Sequence, residues 1–176
     1  MQKTIISCLV LSLGLLSFTT QYLPSYQIAE DYSIQFSGRG ANGTFSGLSG
    51  TIIFDPQNLA TAKMDVSVDA TTIETGNSLK DKHARGEDWF DVAQYPTITF
   101  ASNSFSATDA KNYVVNGTLT LHGTARKVSI PFSFENNTFR GSITVNREDY
   151  GIDGPFISFT VADEFDVELV VPVTGS

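Results

Sequence analysis

Apolar and polar side chains alternate with a period of two in several stretches of this chain, as they do in β-strands that bury one face. One such stretch runs from Ala62 to Ala70, where every second residue is apolar and the residues between them are Lys, Asp or Ser. Together these stretches predict eight strands, which span residues 26–39, 43–54, 62–70, 97–105, 113–121, 128–134, 139–145 and 165–171.

Short turn sequences between the predicted strands indicate antiparallel neighbours. Asn42-Gly43, His122-Gly123 and Asn136-Asn137 are typical of tight hairpin turns. Eight antiparallel strands fit an up-and-down barrel, whose closure removes exposed edges, and they also fit a two-sheet sandwich. Pro131 lies inside the sixth predicted strand, where it cannot donate a ladder hydrogen bond, so it predicts a bulge or a local break.

The stretch from residue 72 to residue 100 does not follow the strand pattern. Asn77 or Ser78 is predicted to cap a short helix that runs to about Arg85, with Gly86 ending it. The stretch also holds the only Trp of the chain, Trp89. Long insertions between strands often act as lids or binding elements, so we expect this one to cover one end of the fold.

The first residues differ from the rest in composition. Lys3 precedes an apolar run from Ile5 to Phe18, which predicts a signal peptide of residues 1–20, or an uncleaved anchor, and a single domain of residues 21–176. A periplasmic or secreted location follows from that prediction. The one cysteine, Cys8, lies in this run, so the domain is left without disulfides or thiolate ligands. A net charge of −8 argues against nucleic acid as a partner.

The sequence offers few groups for catalysis or metal binding. Its two histidines, His83 and His122, are far apart in sequence and have no metal-ligand spacing. The carboxylates Glu87, Asp88 and Asp91 lack the alternating spacing of a calcium loop, and solvated charge explains them. We therefore predict that the protein has no catalytic residues and no metal site, and that it is not an enzyme.

Several motifs, taken in order, resemble one family. Before the insertion stands GTIIFDP (50–56), and within it stand TGN (75–77), DKH (81–83), DWFDV (88–92) and YPTITF (95–100). After it, residues 113–132 include the segment LTLHG. This series resembles the YceI-like proteins, a family of lipocalin-like polyisoprenoid-binding proteins. Many members have histidines in the first strand and the following loop, where this chain has Asp31-Tyr32-Ser33 and Gly38-Arg39-Gly40.

The resemblance implies an all-β fold, an eight-stranded antiparallel lipocalin-like barrel with a short helical insertion (about 72–96) covering one end. It also implies a ligand, a polyisoprenoid or an isoprenoid-tailed quinone, held without a covalent bond and with no other cofactor. Residues predicted to line the tunnel are Phe45, Phe54, Met64, Val66, Phe100, Phe132 and Phe134. Residues predicted to close one end are Trp89, Phe90 and Tyr95, and those predicted to meet a polar head group are His83 and Arg85.

On this interpretation the protein carries, stores or sequesters its lipid in the periplasm and makes transient contact with membranes. Two alternatives stay open at this point. One is a solid-cored stress-response or interaction protein with the same fold, and the other is a lipid-modifying enzyme that uses His83. The oligomeric state is also open, with a homodimer among the options.

Overall fold

A computed structural model describes residues 24–155 and 160–175, and the predicted signal peptide lies outside these ranges. The described chain forms nine β-strands, one α-helix and two short 3-10 helices at Leu59–Thr61 and Arg147–Tyr150. The strands are β1 (Ser25–Ile28), β2 (Ser33–Gly38), β3 (Ala41–Ile53), β4 (Lys63–Glu74), β5 (Thr97–Ala107), β6 (Asn112–Leu121), β7 (Thr124–Glu135), β8 (Thr138–Asn146) and β9 (Glu164–Gly175), and helix α1 is Ser78–Ala84.

The strands form one closed antiparallel sheet. Hydrogen-bonded neighbours follow the order β2-β9-β8-β7-β6-β5-β4, and β3 pairs with both β2 and β4, which closes the ring. The short strands β1 and β2 occupy the same position, since each pairs with β3 on one side and β9 on the other. The fold is therefore an eight-stranded barrel, as predicted, and the sandwich alternative is wrong.

The first predicted strand, residues 26–39, is interrupted in the structure. Residues between Ile28 and Ser33 form a turn at Glu30 and Asp31, and the backbone N–H of Ala29 donates to the carbonyl of Pro172 at 2.9 Å. Each half then pairs with the same two neighbours. The apolar positions keep the same register on both sides of the turn, but Glu30 breaks the alternation between Ile28 and Tyr32, and the prediction did not use that signal.

Two of the three predicted hairpin turns are confirmed. His122 and Gly123 have φ angles of 50° and 71°, and Asn136 and Asn137 have 50° and 55°, as two-residue hairpin turns require. The prediction at Asn42-Gly43 is wrong, because both residues lie within β3 and the turn lies at Gly40, with φ 86°. Gly43 is needed for another reason, since a Cβ there would stand 2.1 Å from the carbonyl oxygen of Glu74.

Pro131 leaves β7 continuous but ends one of its two ladders. On the side of β6, Pro131 pairs with Val114 in an uninterrupted register. On the side of β8, the ladder runs from Glu135↔Thr138 to Phe132↔Gly141 and stops next to the proline. The predicted break is thus in the β7–β8 pairing and not in the strand itself, because proline has no N–H to donate.

The insertion between β4 and β5 folds as expected. The Asn77 side-chain oxygen accepts hydrogen bonds from the N–H groups of Leu79 and Lys80, each at 3.1 Å, and so caps α1. The residues after α1 form successive turns up to Pro96, where the chain enters β5. In the described ranges, no helix is long and apolar enough to cross a membrane.

Candidate functional site

The interior of the barrel is not filled by side chains, because it encloses a cavity of about 580 Å³. All eight strand positions of the barrel contribute to its wall, which is mainly aliphatic and aromatic. This follows from the alternating sequence, which turns every second side chain inward. Six residues that represent the wall are Ile34, Leu48, Val66, Leu119, Ile143 and Leu169. Cavities of roughly 300–1,000 Å³ are typical of small-molecule sites.

Polar side chains are few along the cavity. Those of the described lining are Thr75, Lys80, His83, Thr99, Arg147 and Thr160. No Asp or Glu stands among the described lining residues. The exposed residues Lys80 and His83 belong to α1, so the cavity opens to solvent at the end of the barrel that the insertion covers. We call this end the mouth. Such a lining suits a ligand that is apolar along its length and polar at one end.

The opposite end of the barrel is sealed by aromatic rings, which we call the aromatic cluster. Its members are Tyr26, Phe54, Phe105, Tyr113, Phe132, Phe134 and Phe139. Phe54 has no solvent exposure, and its ring centroid lies 5.1–6.1 Å from those of five other members. Of the seven, Phe132 and Phe139 also line the cavity, so their rings form its floor.

Hydrogen bonds fasten the insertion to the barrel at the mouth. Arg85 donates through Nε to the carbonyl of Thr71 and through Nη2 to that of Ile73, both at 2.7 Å. Asp81 Oδ1 accepts from the hydroxyl and the backbone N–H of Thr75, also at 2.7 Å each. The hydrogen bond from the Thr75 hydroxyl is the main reason that the pKa of Asp81 is lowered from its ordinary value.

Arg147 holds the second chain segment of the mouth, the connection between β8 and β9. Its side chain is buried and donates to the carbonyls of Ile152, Asp153 and Ala162 at 2.5–3.1 Å. Its Nη2 also lies 2.5 Å from Asp163 Oδ1. The guanidinium carbon stands 5.7 Å from the centre of the Trp89 ring, which is within cation–π range. Arg147 thereby links this connection to the insertion.

Eight of the twelve predicted ligand-binding residues line the cavity. Those on strands are Phe45, Met64, Val66, Phe100 and Phe132, and those on the insertion are His83, Trp89 and Phe90. Phe90 and Phe45 meet at the mouth, with ring centroids 5.6 Å apart. The cavity brings these eight residues around one space, while their contact with a ligand stays a prediction.

The other four predicted residues lie elsewhere. Phe54 and Phe134 face inward as expected, but they pack inside the aromatic cluster below the floor. Tyr95 packs on the outside of the mouth, with its ring 4.5 Å from that of His122. Arg85 is engaged with backbone carbonyls of β4, so it anchors the insertion and does not point into the cavity.

The candidate catalytic and metal groups do not assemble. His122 Nδ1 lies 3.2 Å from the carbonyl oxygen of Tyr150, and His122 is not among the described lining residues of the cavity that His83 borders. Glu87, Asp88 and Asp91 are absent from the described lining of the cavity, so none of them faces His83 across it. Within residues 24–155 and 160–175, no group of three or more His, Cys, Asp or Glu residues is placed to hold a metal ion.

Sequence reasoning missed several lining residues. The alternating pattern had already put Phe139, Val167 and Leu169 on inward faces, so that signal was present but unused. Arg147 and Lys80 carried no such signal. Their positions depend on how the two connections at the mouth fold back over the barrel, which periodicity does not describe.

Comparison with known sequences identifies relatives over nearly the whole described chain. The family model of the YceI-like domain matches residues 26–173. A "UPF0312 protein" of Pseudomonas savastanoi pv. phaseolicola is 31% identical over 169 residues, covering 82% of this chain and 88% of that protein.

Comparison with solved structures finds the same barrel. Burkholderia cenocepacia BcnA superposes with a TM-score of 0.79 at 24% identity, covering 84% of this chain and 99% of that one. A structure described as a polyisoprenoid binding domain, from Saccharophagus degradans, has a TM-score of 0.63 at 15% identity and covers 88% of this chain and 100% of that one. At these identities the similarity concerns the fold.

Proposed function

This chain belongs to the YceI-like family, and from that premise we propose that its barrel binds a long apolar lipid. The ligand is a polyisoprenoid or an isoprenoid-tailed quinone. The observation that carries the proposal is the cavity of about 580 Å³ with its almost wholly apolar lining. The Saccharophagus degradans domain, which is described as binding polyisoprenoids, has the same fold and supports this choice of ligand.

The energetics of such a site favour an apolar chain. Each buried CH₂ group contributes roughly 0.8 kcal/mol, while association costs about 4–15 kcal/mol. A few isoprene units can therefore offset the cost of association without hydrogen bonds along the tail. A polar head group would remain at the mouth, beside Lys80 and His83, where water and charged side chains are available.

The cavity also weighs against the two alternatives. A solid-cored interaction protein would fill the barrel, as most small cores are filled. An enzyme using His83 would need an acid or base partner, and the described lining holds no carboxylate. Carriage, storage or sequestration of the lipid in the periplasm completes the proposal, and the predicted signal peptide is its only support.

Mass spectrometry of the protein purified without detergent tests the proposal. Native spectra should contain a stoichiometric adduct, and organic extraction should release it as an isoprenoid. A bare mass that persists after incubation with quinones and polyprenols would refute lipid binding and favour the interaction protein.

A matched pair of variants on β8 makes the test specific to the cavity. Ile143 lines the cavity, while its neighbour Thr144 is exposed on the outer face. Ile143→Lys should abolish the adduct because it places a charge in the apolar interior, and Thr144→Lys should retain it. Circular dichroism and urea unfolding of both variants confirm that the barrel is still folded.

A further inference from the structure

We infer that the aromatic cluster limits the length of the lipid tail that this barrel can bury, with Phe132 as the residue that sets the limit. The inference rests on the proposed lipid binding and goes beyond it, since it concerns selection among tails. It predicts that only a short segment of the tail is buried and identifies the side chain against which that segment stops.

The floor of the cavity is a packed layer and not a single side chain. Phe132 is 7% exposed and stacks on Tyr113, with ring centroids 5.4 Å apart and planes at 28°. Behind it, Phe54 stands 5.6 Å away, and Phe139 lies 5.9 Å to its side. A tail that reaches Phe132 meets rings that are already in contact with one another, so it cannot pass without displacing several of them.

The direction of entry follows from the two ends of the cavity. The mouth carries the exposed residues Lys80 and His83, whereas the floor is formed by Phe132 and Phe139. Polar head groups lose hydration when they are buried without partners, and the floor offers no hydrogen-bonding side chain. The tail therefore enters first and its end stops at Phe132.

The volume of the cavity means that only a short length of tail can be buried. A space of about 580 Å³ is the size of a site for one drug-sized molecule. Tail atoms beyond that space stay outside the mouth in water, where they add no buried apolar surface. Affinity should thus rise with tail length until the cavity is full and then remain level.

A series of quinones with one head group and one to ten isoprene units measures this directly. Each additional buried CH₂-sized group raises the affinity roughly fourfold, so each five-carbon unit below the limit should raise it by up to roughly a thousandfold. The affinity, measured by titration calorimetry or native mass spectrometry, should show a break when it is plotted against tail length. Above the break, the dissociation constant should change less than about twofold per isoprene unit.

The key variant is Phe132→Ala, and Phe134→Ala is its matched control. Both residues face inward on β7 within the aromatic cluster, but only Phe132 lines the cavity. Phe132→Ala should move the break to tails longer by at least one isoprene unit. Phe134→Ala should leave the break where it is in the wild type. Phe132→Leu removes less packing and serves if the alanine variant does not fold.

The outcomes separate this inference from the function on which it rests. If no quinone of any length binds the wild type, the proposed function and the inference both fail. If quinones bind but the affinity rises through the longest tail, the floor does not limit the tail. A third outcome is a break that falls at the same tail length in the wild type and in every folded Phe132 variant, including Phe132→Leu. In that case another residue sets the limit and the inference is wrong.

Discussion

At the closed end of the barrel Phe54 has no solvent exposure and touches five other rings, whereas at the mouth Leu79 of α1 is 61% exposed. At the closed end the buried side chains are aromatic rings that pack against one another, a kind of contact on which pH and salt have little effect. At the mouth, Arg85 and Arg147 donate hydrogen bonds to neighbouring backbone carbonyls, and Asp81 accepts one from the backbone N–H of Thr75. Both ends border the same cavity.

Because of this difference, one end of the barrel contributes mainly to folding stability and the other controls access of the ligand to the cavity. Closely packed aromatic side chains contribute most of their free energy through buried area, and removing one leaves a void. The insertion is fastened by the exposed or half-buried hydrogen bonds of Arg85 and Asp81, and it costs less to open because water replaces those bonds. We therefore expect substitutions at the closed end and at the buried Arg147 to change the free energy of unfolding, and substitutions in the insertion to change mainly the binding and exchange of the ligand.

The largest expected effect is that of Phe54→Ala at the closed end. Burial of Phe54 at 0% exposure predicts a loss of about 3–5 kcal/mol in the free energy of unfolding, measured by urea titration of the ligand-free protein. Phe90→Ala, at the half-buried ring of the mouth, should cost only about 1 kcal/mol. Equal costs for the two variants would contradict the difference between the ends.

A smaller loss is expected when the buried cation of the mouth is removed. Arg147→Met leaves the carbonyls of Ile152 and Ala162 without their donor, so we expect a loss of about 2–3 kcal/mol. Faster hydrogen exchange of the Ile152 N–H, which donates to the Arg147 carbonyl, should accompany it. The exposed Arg126, with one bond to Asp149, is the control, and Arg126→Met should cost less than about 0.5 kcal/mol.

The exposed Leu79 is expected to affect the kinetics of lipid transfer and not the affinity. If the mouth meets a bilayer through this side chain, Leu79→Asp should slow quinone uptake from phosphatidylcholine vesicles by about tenfold. The dissociation constant for quinone in solution should stay within about twofold of the wild type. Ser78→Asp adds the same charge on the same helix and keeps the leucine. Equal uptake rates for the two variants would argue against a role for Leu79.

The sequence predicted the faces of the strands well but not the heights of residues along the barrel axis. Phe132 and Phe54 both obey the alternating pattern, yet Phe132 lines the cavity and Phe54 lies in the cluster beneath it. The period of two states which side of a strand a residue is on. Its height depends on strand tilt and register, which are set by pairings such as Phe132↔Gly141 between distant segments.

The insertion at the mouth shows the same limit of prediction from the sequence. Asn77 and Gly86 marked the ends of α1 correctly, because capping is a local interaction between near neighbours in sequence. The positions of Arg85 and Tyr95 away from the cavity lining could not be predicted, because their partners lie on β4 and on the β6–β7 turn. Arg147 gave no signal at all, since its partners are backbone carbonyls whose position depends on the fold of the β8–β9 connection.

The smallest expected effect concerns pH at the anchor of α1. Because the pKa of Asp81 is lower in the folded protein, its contribution to stability is fully present above about pH 4 and is lost as the pH falls through the lowered pKa. Thr75→Val removes the hydroxyl donor to Asp81 and Asp81→Asn removes the charge. The coupling between these two variants, measured by thermal unfolding in a double-mutant cycle, should be present at pH 6 and vanish in strong acid. A coupling that is independent of pH would mean that the charged form of the Asp81 carboxylate does not anchor the insertion.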